Sequence, residues 1–246
     1  MCYQCDANDA EANGRASRRR FLTIAGGVAA SLALVPSAFA KDKKGPPKPQ
    51  NTISPDAALE RLMQGNARYV DGLSRRHDFK HEREALTGGQ NPYASILSCA
   101  DSRIAPEYAF DSGRGDLFVC RVAGNFANDD TVASLEYSVA ILNAPLFLVL
   151  GHESCGAVDA TIKSLKDNTT LPGHLPSLVA ALTPAVKAVA DQPGDKLANA
   201  TIRNVIDNVA KLKAATPILN EAVEKGKLKI VGGIYRLGDG KVKLVG

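Results

Sequence analysis

The sequence predicts an α/β fold in which helices cover a mostly parallel β-sheet, and three observations predict it. Residues 93–98 and 145–150 are short, largely apolar runs bounded by turn residues, the pattern of strands buried on both faces. Segments with helical spacing alternate with such strands along the chain. Cysteine, histidine and charged residues follow directly on the two apolar runs, at the strand ends where open parallel sheets collect functional groups.

The elements follow in order. Ser54-Pro55-Asp56 supplies an N-cap, a proline suited to the first helical position and an early acid, so a helix opens there. Leu59, Leu62, Met63 and Val70 keep its spacing to about Tyr69. A long mixed segment then runs through His77 and His81 to Gly89, with both histidines read as linker surface. Strands are predicted over 93–98 and 116–121, the second carrying Phe118 and Cys120, a buried thiol in this reading. A helix over 129–143 places Val132, Leu135, Val139 and Leu142 on one face, and Pro145 begins the next strand. A further helix opens at Gly156, helices over 178–190, 197–214 and 217–225 follow, and 227–237 returns as a strand. Gly238-Asp239-Gly240 turns into a short last strand. There is no internal repeat.

The first forty residues read as a targeting segment. Ser17-Arg18-Arg19-Arg20-Phe21-Leu22-Thr23 resembles a twin-arginine export signal, and Ala38-Phe39-Ala40 is an A-x-A cleavage site. The stretch between them is rich in alanine and broken by glycine and proline, whereas a membrane-spanning helix needs about 20 strongly apolar residues. The expected division is therefore a signal peptide over 1–40, a flexible proline-containing linker over 41–53 and one domain over 54–246. The mature protein is expected in the periplasm or secreted, exported folded, without stable membrane insertion. Cys2 and Cys5 form a C-x-x-C that leaves with the signal. Cys99, Cys120 and Cys155 remain, an odd number that argues against a disulfide framework.

Composition narrows the classes further. The chain has 246 residues, 45% hydrophobic and 23% charged, as in ordinary globular proteins. Its net charge of +4 is spread among interspersed signs, without the basic stripe a nucleic-acid partner would need.

The chemistry lies in Cys99-Ala100-Asp101-Ser102-Arg103 and Gly151-His152-Glu153-Ser154-Cys155-Gly156. Taken singly, these thiols and this imidazole are ordinary core residues. Together, at matched strand ends, they make a Cys2His set, which suits tetrahedral zinc and leaves the fourth position open.

These two motifs resemble those of β-class carbonic anhydrases, which read C-x-D-x-R after one strand and H-x-x-C-G after another. The resemblance runs from about Ser54 to the C-terminus. It implies one zinc per chain on Cys99, His152 and Cys155, and reversible hydration of carbon dioxide to bicarbonate by metal-bound hydroxide. Asp101 would orient that hydroxide, or serve as fourth ligand in a closed state, with Arg103 holding Asp101. Gln90, Phe118 and Tyr137 match an active-site glutamine and the pocket aromatics of one subgroup; Gln90 would donate to substrate, and Gly156 joins the aromatics in binding it. Ala100 replaces a more frequent serine, and the segment from Asn125 to Tyr137 is shorter than in some members. Ile96 stands where a subgroup with a second, inhibitory bicarbonate site has tryptophan, although Arg121 matches an arginine of that site. The resemblance also implies a homodimer or higher homo-oligomer, with the first helix as an N-terminal arm and Gln90 serving the partner's zinc. Two other readings stay open: a carbonyl sulfide or carbon disulfide hydrolase on the same scaffold, and a non-catalytic zinc protein.

Overall fold

The computed structural model describes residues 53–246. The export segment, the Cys2/Cys5 pair and the linker up to Thr52 lie outside the described residues.

Ser54 caps α1 (Pro55–Val70), its hydroxyl accepting from the Ala57 N–H at 3.2 Å. This helix, expected as an arm, buries Ala58 and Leu62 in its own chain's core. Gly65 permits the approach, since a Cβ there would lie 1.9 Å from the Phe110 carbonyl oxygen. Asn66 then stitches the contact: its Nδ2 donates to the carbonyls of Ala109 and Gly240 at 2.8 and 2.9 Å, and its Oδ1 accepts from the Val242 N–H.

The segment read as linker contains α2 (Phe79–Ala85) and a 3₁₀ turn at Leu86–Gly88. His77 is not linker surface. It is half-buried, with Nδ1 2.9 Å from Glu82 Oε1 and Nε2 3.9 Å from Asp111 Oδ1. Helix α2 is too short for a hydrophobic period to reveal it.

The remaining elements are β1 (Ala94–Ser98), α3 (Pro106–Ala109), β2 (Leu117–Arg121), α4 (Asp129–Ala140), β3 (Leu146–His152), α5 (Gly156–Asp167), α6 (Leu175–Ala188), α7 (Lys196–Lys213), α8 (Ile218–Glu224), β4 (Lys229–Tyr235) and β5 (Val242–Val245). The single turn α3 escapes the sequence pattern. Helix α4 stops before the expected end because the chain turns at Asn143, which takes a left-handed φ of 54°. Helix α6 starts earlier than expected, with Pro176 in its first turn, where a missing N–H costs nothing.

The sheet order is β2-β1-β3-β4-β5, parallel except for the final antiparallel pair. Successive side chains of β3 divide between two cores. Leu146, Leu148 and Leu150 join Ile96 and the α1 face, while Phe147 and Val149 join Leu97 and α7. Burying each such side chain contributes about 1.5–3 kcal/mol. Chain order reverses around β1, because β2 lies on one side of it and β3 on the other. A crevice forms at such a switch point, beyond the carboxyl ends of the strands.

Candidate metal centre and active site

Both motifs emerge at this switch point. Cys99 is the first residue after β1, His152 the last of β3, and Cys155 the N-cap of α5. The turn between His152 and Cys155 is tight enough to hold Ser154 at a left-handed φ of 53°. All three side chains are buried, and one ligand atom from each lies within 4.8 Å of the others. They are the only such group of three among the described residues.

The donor set fits a divalent, borderline-soft cation. His152 Nδ1 lies 2.8 Å from the Glu153 carbonyl oxygen, which only accepts, so the ring proton belongs on Nδ1. Nε2 is thereby left with a free lone pair, and it is buried without a hydrogen-bond partner. A hydrogen bond from the Cys155 thiol, with a smaller one from the Gly124 N–H, outweighs burial and lowers the Cys99 thiol well below its usual range. Cys155 moves the opposite way, far upward, because its thiol donates a hydrogen bond to Cys99 and is buried. The pair alone thus holds one negative charge. A second thiolate requires positive charge beside it, and a cation among the three ligands supplies that.

Asp101 borders the group. Its Oδ2 lies 3.9 Å from His152 Nε2. Arg103 grips the carboxylate by a fork, Nε donating to Oδ1 at 2.9 Å and Nη2 to Oδ2 at 2.7 Å, and its backbone N–H adds a third bond. These bonds outweigh burial and hold Asp101 well below the usual carboxylate range. Arg103 Nη2 also donates to the Ser154 carbonyl, tying the first motif to the second.

Two contributors were not legible in the motifs. The Gly124 N–H donates to Cys99 Sγ at 3.3 Å. Arg121 braces the 99–104 loop, its Nε donating to the Cys99 carbonyl and Nη2 to those of Asp101 and Ile104. A glycine after β2 and an arginine at its end were the sole signals. Cys120, expected buried, is half-buried, and burial still raises its thiol.

The other expected residues stand apart from the ligand group. Phe118 and Tyr137 do meet, ring centroids 6.3 Å apart. Phe118 is level with Ser95, four residues short of Cys99, so about 13 Å of strand separates them. Tyr137 is half exposed. Gln90 is exposed and precedes β1, at the strand end opposite Cys99. Gly156 borders open space, since a Cβ there would meet nothing within 4 Å.

The chain is similar to known proteins. The family model described as carbonic anhydrase matches residues 94–242. Carbonic anhydrase 2 of Mycobacterium tuberculosis is 38% identical over 192 residues, covering 78% of this chain and 93% of the relative. The solved β-carbonic anhydrase CcaA is 29% identical with a TM-score of 0.59, covering 76% of this chain and 94% of that one. A Coccomyxa β-carbonic anhydrase, solved with acetazolamide, is 26% identical with a TM-score of 0.60, covering 76% and 86%. With the Cys2His group at its switch point and this likeness along most of its domain, the chain belongs to the β-class carbonic anhydrase family.

Proposed function

We propose that this protein reversibly hydrates carbon dioxide to bicarbonate, using one zinc ion held by Cys99, His152 and Cys155. The observation that carries the reading is the ligand group itself: two sulfurs and a partner-free imidazole nitrogen converge at the switch point beside an ionised aspartate. Zinc bound there supplies a Lewis acid that brings water to its nucleophilic form near neutral pH.

The chain's own groups do the rest. Asp101, kept ionised by Arg103, accepts a hydrogen bond from the attacking oxygen and turns its lone pair toward substrate. Gly156 puts no side chain into the space beside Cys155, where a small linear molecule would approach. Phe118 and Tyr137 provide an apolar wall, and Gln90 donates to a substrate oxygen. These three stand apart from the ligands of their own chain, which favours a homo-oligomer whose sites are completed across the boundary. Residues 1–40 direct folded protein through a twin-arginine route to the periplasm or beyond, and 54–246 form the catalytic domain.

Stopped-flow hydration of carbon dioxide at pH 7 and 8.5 tests this reading, with carbonyl sulfide as competing substrate. Thiolate ligands donate charge and make bound water less acidic, so the rate should rise toward pH 8.5. Hydrolysis of carbonyl sulfide without hydration of carbon dioxide would make the protein a different hydrolase, and inactivity toward both would leave a structural zinc protein.

A further inference from the structure

Two buried asparagines on α7 hydrogen-bond to the loop that touches Cys99. Asn204 and Asn208 lie one turn apart, 2% and 7% exposed. Asn208 Oδ1 accepts from the Ala127 N–H at 2.7 Å, and its Nδ2 donates to Asn204 Oδ1 at 3.0 Å. With its oxygen so occupied, Asn204 turns its Nδ2 to the Gly124 carbonyl, donating at 2.8 Å. The Gly124 N–H then donates to Cys99 Sγ. Every step has a fixed polarity, because each amide oxygen is already accepting when its nitrogen donates. Gly124 holds a φ of 85°, and a Cβ on it would press Leu182 Cδ1 at 2.8 Å. The carbonyl and the N–H of Gly124 belong to the two peptides that meet at its Cα, so the Asn204 bond acts on the N–H by fixing the backbone torsions of Gly124, whose Cα lies against Leu182.

We infer that Asn204, oriented by Asn208, is a positioning residue for the Cys99 sulfur: by fixing Gly124 through its carbonyl it keeps the N–H of the preceding peptide on the sulfur and so sets how much charge that sulfur would donate to the metal. This rests on Cys99 being a metal ligand, as proposed above. Partners that orient ligands and tune metals in this way typically change metal affinity or activity 10–100-fold when removed.

The test uses the protein loaded with cobalt(II), whose thiolate charge-transfer bands report sulfur donation directly. Asn204→Leu removes the donor. Asn204→Asp keeps the shape and the acceptor facing Asn208 but sets an acceptor against the Gly124 carbonyl. Both folded variants should shift the bands relative to the unaltered protein and lose cobalt to a chelator about tenfold faster. Unchanged bands and loss rates in a folded variant overturn the inference, with Cys99 ligation left standing. If neither variant folds, Asn204 is a folding residue and the inference falls as well. Absence of thiolate bands in the unaltered protein would instead remove the ligand assignment beneath it.

Discussion

Asp101 Oδ2 lies 3.9 Å from His152 Nε2, so the carboxylate proposed to orient the nucleophile stands beside the free lone pair of a proposed metal ligand. Arg103 occupies both carboxylate oxygens, so the guanidinium braces the position of Asp101. Asp101→Asn should therefore keep one zinc per chain while turnover falls roughly 10–100-fold. Metal analysis paired with stopped-flow rates decides this; loss of zinc with the carboxylate would make Asp101 a permanent ligand.

Cys99→Ala should behave differently. It removes one of two sulfurs from a three-residue set, and both zinc and hydration should disappear. Stoichiometric zinc in the folded variant would point to another set of ligands.

The expected sharing of sites between subunits can be read by complementation. Gln90→Ala chains and Cys99→Ala chains, each inactive alone, should regain activity when mixed, one working site arising per suitable hybrid. Confirmed hybrids without activity would confine Gln90 to its own subunit or remove it from catalysis.

Asp111 links stability to pH. It is buried at a φ of 43°. Burial raises its carboxyl, but the Arg68 guanidinium at 2.6 Å and the Arg75 N–H outweigh that and hold it below the ordinary range. A depressed carboxyl contributes stability that is full above its unfolded pKa, about 3.9, and is lost as pH falls through the folded value. Asn tolerates the same backbone conformation. Asp111→Asn should thus cost roughly 1–3 kcal/mol at pH 7, and the difference should vanish in strong acid. Urea unfolding at pH 7 and pH 2 measures it; equal stability at pH 7 would mean the pair contributes nothing.

Export has its own test. Changing Arg18 and Arg19 to Lys should hold an uncleaved precursor in the cytoplasm, as fractionation and N-terminal mass would reveal. An exported protein that still carries Met1 would contradict cleavage after Ala40.

What could be read from the residues had a local cause. Ser54-Pro55-Asp56 marks its helix by capping chemistry alone, and the β3 run is buried on both faces, as its unbroken apolar stretch implies. Cys99 and His152 were legible because each sits at the end of such a strand, and Cys155 because it follows three residues later, where α5 begins. The Gly124 and Arg121 contacts were not, because they depend on where β2 ends relative to β1. The Asn204–Gly124 bond joins residues eighty positions apart, and no pattern in α7 separates those asparagines from solvent-facing ones. Helices α2 and α3 are too short to show a period.

The central claim is that the Cys99, His152 and Cys155 group holds a zinc ion that hydrates carbon dioxide. Zinc-free protein titrated with zinc, with hydration followed by stopped flow at pH 8.5, tests it most directly. The rate should rise in proportion to added zinc and level off at one per chain. Protein that binds one zinc per chain through these residues and yet leaves the hydration rate at that of buffer would contradict the account.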